Sequence, residues 1–120
     1  DYLIKRIKGD ARLRLHQPTL MPLEPGCSSV CYTTILHEDG RYRRYQRTVC
    51  KSYKGEQYDG HPGELTEYLE STDGIRWKKP QLGLYEIDGS RRNNIVLTGT
   101  STGSHNFTPF IDENPDASPA

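Results

Sequence analysis

The chain has 120 residues, 32% of them hydrophobic, and its sixteen basic and sixteen acidic side chains cancel to a formal charge of zero. A mean hydropathy of -0.84 leaves a thin core, enough for one small domain. The balanced charge and a pI of 7.1 exclude a global electrostatic pull towards nucleic acid or an anionic membrane, and no run approaches the roughly 20 apolar residues of a membrane-spanning helix.

The opening "YLIKRIKGDARLRLHQP" has an ambiguous period and starts as either a short helix or a strand, so residues 1–26 read as a lead-in segment. No signal-peptide pattern is present. With Asp1 first and the polar "DASPA" last, the chain reads as a piece of a longer protein or a processed product. Cys27, Cys31 and Cys50 form an odd set without zinc spacing. They are either free thiols or one disulfide plus a spare thiol, the latter requiring an oxidising compartment.

"TTILHEDGRYRRYQRTVC" is an apolar run, a tight turn at Asp39-Gly40 and an alternating strand. Tyr42, Arg44 and Gln46 fall on one face of that strand, and Arg41, Arg43, Tyr45 and Arg47 on the other. Tyrosine on both faces suits a strand covered on both sides. "GELTEYLESTDGIRWKKP" repeats the scheme, with a strand near 65–70, a turn at Asp73-Gly74 and a returning strand near 75–79. Ile75 and Trp77 then share a face, and Pro80 ends the strand because it cannot donate to a ladder. Four consecutive strands make an antiparallel meander, with "NNIVL" and "HNFTPFI" as further strand candidates. The expected fold class is all-β.

Connections in a meander alternate between the two ends of its strands. The two Asp-Gly turns therefore lie at one end. The long links "KSYKGEQYDGHPG" and "GLYEIDGSRRNNIVLTGTSTGS" lie at the other, where binding residues usually sit on a rigid scaffold.

"STDGIRWKKPxLGL" from Ser71 to Leu84, preceded by "YLE" and followed by "NNIV" and "HNFTPFIDENPDA", resembles the N-terminal part of five-bladed β-propellers of the glycoside hydrolase family 32 and 43 superfamily. "DGRYRRYQR" looks like the second strand of such a blade. The family-32 signature Asn-Asp-Pro-Asn-Gly and the Arg-Asp-Pro stabiliser motif are absent, so no residue supports invertase-like activity. The resemblance implies one propeller blade over 27–104, the inner strand of a second blade over 105–120, and further blades outside this chain, each blade being a four-stranded meander. Trp77 would pack between blades. It also implies a carbohydrate substrate and hydrolysis of a glycan or oligosaccharide when full length, with a secreted or periplasmic setting. A non-catalytic carbohydrate-binding or structural β domain is the alternative.

On that frame the site residues come from the loop-rich end. Glycosidases use two carboxyl groups flanking the scissile bond. Glu24, Glu64, Glu67 and Asp112 are the candidates, with Asp112 and Glu64 taken as the catalytic pair and a partner carboxylate outside the chain remaining open. Arg47, His105, Asn106 and Tyr58 are the substrate-binding candidates. For His105 and Asn106 the competing role is capping a strand or fastening a loop. Arg47 competes with a plain surface role among four neighbouring arginines. Tyr53 and Tyr58 either stack on sugar rings or pack their own loop. "DENPD" spaces three oxygens like the start of a calcium loop, but it lacks the following Gly and the distant Glu, and reads as an Asx-type turn. No metal site and no cofactor are expected, and the arginine-tyrosine run is a strand rather than a nucleic-acid patch.

Overall fold

A computed structural model describes residues 14–17, 32–99, 103 and 105–116. Among them are four strands: β1 (Thr33–Glu38), β2 (Arg41–Val49), β3 (Glu64–Ser71) and β4 (Ile95–Thr98). They form one antiparallel sheet in the order β1-β2-β3-β4, without a helix among the described residues. The fold is all-β.

Asp39 and Gly40 join β1 to β2 with φ values of 51° and 69°. Two successive positive φ angles define the type I′ turn, whose twist matches that of the flanking strands. A Cβ on Gly40 would meet nothing within 4 Å, so its glycine answers to backbone conformation alone.

β2 and β3 pair along nearly their whole length, from Tyr42 opposite Ser71 to Val49 opposite Glu64. This register places Arg43, Tyr45 and Arg47 on one face with Glu64, Thr66, Tyr68 and Glu70. Tyr42, Arg44 and Gln46 share the other face with Leu65, Glu67, Leu69 and Ser71. Both faces are covered, as the tyrosine pattern predicts. On the first face Tyr45 packs on Tyr68 at 5.1 Å and on Phe107 at 5.8 Å between ring centroids. The Tyr68 phenol also donates to Glu70, and burial together with that carboxylate pushes it up to about 12. On the second face His37 stacks on Tyr42, and the Arg44 guanidinium lies 5.5 Å from the Trp77 ring centroid.

Among the described residues Leu65, Leu69 and Ile95 are the buried apolar ones, and Leu69 is fully enclosed. Burying one such side chain stabilises by roughly 1.5–3 kcal/mol. Three such residues make a small core, and polar side chains fill the rest of the interior: Arg44, Gln46, Glu64, Thr66, Glu67 and Asn94 are all buried.

The fourth strand is not the one the Asp73-Gly74 hairpin predicts. Only Gly74 has a positive φ there (71°), and a type I′ turn needs two. The Asp73 carboxylate instead accepts the backbone N–H groups of Ile75 (2.8 Å) and Arg76 (2.7 Å), while Ser71 Oγ accepts that of Gly74 (2.9 Å). These local bonds open a wide bend, the usual way Asp and Ser compete with a ladder. The returning chain meets the β3 backbone at one bridge, where Glu70 and Lys78 exchange backbone hydrogen bonds of 3.0 and 2.8 Å. It then leaves through Pro80, makes a second tight reversal at Asp88-Gly89 (φ 51° and 74°), and comes back as β4 against the first half of β3. "NNIVL" is therefore the strand. Trp77 lies beside the sheet, half-buried, with its indole N–H buried and unpartnered.

"HNFTPFI" forms no strand either; it crosses the first face, anchored by Phe107. The lead-in segment lies outside the described residues except for 14–17, as do Cys27 and Cys31, while Cys50 carries a free thiol.

Candidate functional site at the loop end of the sheet

The segment 50–63 leaves β2 and returns to β3 through a fastened base. Cys50 N donates to Gly63 O at 2.8 Å, Glu64 N donates to His61 O at 3.0 Å, and the Tyr53 ring stacks on His61 at 4.8 Å. His61 is buried and accepts the Gly63 N–H on Nδ1. Tyr53 thus packs its own loop. β4 ends against this base: a Cβ on Gly99 would lie 2.5 Å from Pro62 O and 2.7 Å from Glu64 O, so only glycine lets the two backbones approach.

Glu64 opens β3 here, and its side chain is only 4% exposed. Both of its oxygens contact His105 Nδ1, Oε1 at 3.1 Å and Oε2 at 3.0 Å, and Oε1 also faces Arg47. Arg47 Nη1, on the neighbouring strand and the same face, lies 3.3 Å from that Oε1. Arg47 Nη1 also lies 2.8 Å from that same His105 Nδ1. On the far side of the imidazole, Nε2 is 3.8 Å from Asp59 Oδ2 in the long loop. Tyr32 roofs the cluster, 4.6 Å from the Arg47 guanidinium and 5.3 Å from the His105 ring. Its φ of 57° is uncommon for a bulky residue.

The cluster borders a cleft of about 850 Å³ whose lining includes Arg47, Tyr58, Asp59, Glu64, Glu67 and Lys79. Glu67 sits on the opposite sheet face in a buried network. It accepts from Gln46 Nε2 and from Asn94 Nδ2 (3.3 Å), and pairs with Lys79 Nζ at 3.0 Å. Across the cleft the Asp88 carboxylate accepts from the Ser52 hydroxyl and the Cys50 thiol, which hold it below the usual carboxylate range.

Of the residues singled out from sequence, Arg47, Glu64 and His105 meet in one contact group, and Tyr58 lines the cleft beside them. Asn106 follows His105 but is exposed, its carbonyl accepting from Thr108. Asp112 is exposed and away from the cleft, and accepts the Asn114 N–H at 3.0 Å in an Asx turn; Asp116 N donates to Asn114 in a second one. Glu24 lies outside the described residues. Tyr32 and Asp59 were not legible as members: Asp59 sits in a "YDG" run that reads as a turn, and Tyr32 lies 73 positions from His105 in the chain (105 − 32). The long-loop residues gather at one end of the sheet, while Asp39-Gly40 and the bend after Ser71 lie at the other, since Tyr42 pairs with Ser71.

The arrangement alternates donors and acceptors at hydrogen-bond spacing around a half-exposed aromatic ring. Chemically it can hold hydroxyl groups, or place a buried carboxylate against one. Set against family models, curated proteins and solved structures, the chain has no significant match.

Proposed function

We propose that this chain supplies the substrate-facing end of a carbohydrate-active β-propeller protein, most concretely a glycoside hydrolase acting on a glycan or oligosaccharide. The observation that carries the reading is the meeting of Arg47, Glu64 and His105 at the loop-rich end of the sheet, on a cleft edged by Tyr58. Carboxylate, guanidinium and imidazole together offer both acceptors and donors to sugar hydroxyls, and tyrosine offers an apolar face with a polar tip. Glu64 is the carboxylate we assign to catalysis. Asp59 is a better placed partner than Asp112, since its carboxylate oxygen lies within 4.8 Å of the Glu64 and His105 ligand atoms and glycosidase carboxyl groups work in pairs. A non-catalytic binding module is favoured by one feature: Glu64 is already bound to both Arg47 and His105, which suits holding a ligand as well as attacking one.

Turnover and binding across a glycan panel, using the full-length protein, test the reading. Arg47→Ala and His105→Ala should weaken sugar binding at least fivefold, given that one lost hydrogen bond costs on the order of 1 kcal/mol; each also removes a partner of the buried Glu64 carboxylate and should lower the melting temperature, so binding is read on the folded fraction. Glu38→Ala and Thr72→Ala, at the opposite end, should leave binding alone. Loss of turnover with retained binding in Glu64→Gln identifies a hydrolase; loss of both identifies a binding module. Normal sugar binding in the Arg47 and His105 variants refutes the site.

A further inference from the structure

We propose that the second face of the sheet carries a carboxylate-binding site centred on Arg44 and Trp77, suited to a monocarboxylate with an apolar body. The site is separate from the cleft, whose lining includes neither residue. The inference goes beyond the sugar-binding reading and does not depend on it.

Arg44 lies in the middle of β2 and is only 9% exposed. A guanidinium keeps its proton and has donors alone, so burying it without an acceptor and a counter-charge is costly. Among the described residues neither is supplied. Arg44 Nε is buried without a hydrogen-bond partner, and no described carboxylate pairs with the guanidinium. Its neighbours on the strand differ, since Arg43 pairs with Glu38 and Arg47 with Glu64. The register sets Arg44 between two apolar residues instead, Ile35 on β1 and Leu69 on β3. Glu67, the diagonal neighbour on the same face, already spends its oxygens on Gln46, Asn94 and Lys79.

A second unfilled donor lies beside it. The Trp77 ring centroid is 5.5 Å from the guanidinium, and the indole N–H is likewise buried and without a partner. The cation–π contact offsets part of the desolvation cost, but it uses the ring face and leaves both N–H groups unfilled. What the pair lacks is an acceptor with negative charge, and a carboxylate offers two oxygens for the two donors. The surroundings select its body. Ile35 is 46% exposed and Trp77 half-buried, so the rim is apolar and open to solvent. One guanidinium on such a rim cannot replace the water of a strongly hydrated dianion, whereas an apolar group attached to a carboxylate gains from burial there.

The test is titration of the full-length protein with sodium benzoate, acetate and sulfate at constant ionic strength. Binding is read from the indole N–H resonance of Trp77, the one tryptophan of this chain, and from thermal shift. Benzoate should move that resonance saturably and raise the melting temperature, binding at least fivefold more tightly than acetate, while sulfate does neither. Arg44→Lys keeps the charge without the planar fork, and Trp77→Phe keeps a ring without the N–H; each should weaken benzoate at least fivefold by thermal shift. Arg44→Met keeps the apolar stem without the charge. It should abolish binding and raise the melting temperature of the unliganded protein, because an uncompensated buried charge is removed. No saturable shift with benzoate, an equal response to sulfate, or an unchanged affinity in Arg44→Met would overturn the site. So would a melting temperature lowered by Arg44→Met, which would show that the full-length protein already supplies the counter-charge.

Discussion

Glu67 offers the sharpest test of how this small core is held. It is 7% exposed, and three side chains converge on it. In Glu67→Ala, Gln46 loses the one partner its Nε2 has among the described residues. Gln46 is 3% exposed and its Oε1 already lacks a partner, so the whole amide becomes a buried, unsatisfied group. A hydrogen bond to a charged group is worth about 1.5–3 kcal/mol, and the orphaned donor adds desolvation cost. Asn94 loses little, because its Nδ2 also donates to Tyr68 O at 2.7 Å. Lys79 is half exposed, and such pairs contribute about 0–1 kcal/mol. The expected loss is therefore about 3 kcal/mol for Glu67→Ala and below about 1 kcal/mol for Lys79→Ala. Glu67→Gln should fall between them, since it keeps an acceptor for one amide and turns a donor towards the other. Urea denaturation of the full-length variants, read by tyrosine and tryptophan fluorescence, measures all three. Equal losses for Glu67→Ala and Lys79→Ala would refute the account, for the surface ion pair would then be the interaction that matters.

Gly99→Ala should cost about 1–3 kcal/mol, the range for overpacking, because its Cβ would press on the backbone oxygens of Pro62 and Glu64, and amide chemical-shift changes should centre on the start of β3. The Asp73 carboxyl should titrate at about 2, held down by the backbone N–H groups of Arg76 and Ile75. Its folded value lies below the unfolded one, so its stabilising contribution is complete above pH ~4 and is lost as pH falls towards 2; an NMR titration giving a midpoint near 4 would contradict the bend geometry. Trp77→Ala should cost about 2 kcal/mol from the half-buried ring, and 3–5 kcal/mol if a further part of the protein covers its remaining face, with differential scanning calorimetry separating the two values.

The local backbone was legible wherever short-range chemistry decides it. Asp39-Gly40 sits between two alternating runs, and its two positive φ angles follow from residue type. The tyrosines on both faces of β2 announced a strand covered on both sides, because each face needs apolar cover whatever supplies it. The same reasoning failed at Asp73-Gly74, where an identical dipeptide follows Ser71. Serine and aspartate side chains there capture four backbone N–H groups (of Asp73, Gly74, Ile75 and Arg76), and the ladder position passes to Ile95–Thr98. Which of two β-prone segments pairs with β3 is a competition between distant parts of the chain, and local propensity does not resolve it.

The gathering of residues 50–63 at one end of the sheet and of Asp39-Gly40 at the other was legible because connections in a meander alternate between ends, although the β3–β4 connection is long where a tight turn was expected. Arg47 and Glu64 could be placed at the loop end because both sit at strand ends. The contacts themselves belong to the tertiary structure. His105 reaches Glu64 across 41 positions only because "HNFTPFI" crosses the sheet instead of joining it, and Asp59 reaches His105 only because Cys50 and Gly63 close the base of their loop. Asp112 was a reasonable carboxylate by type. It lies outside the cleft, exposed, where its carboxylate accepts the Asn114 N–H in an Asx turn.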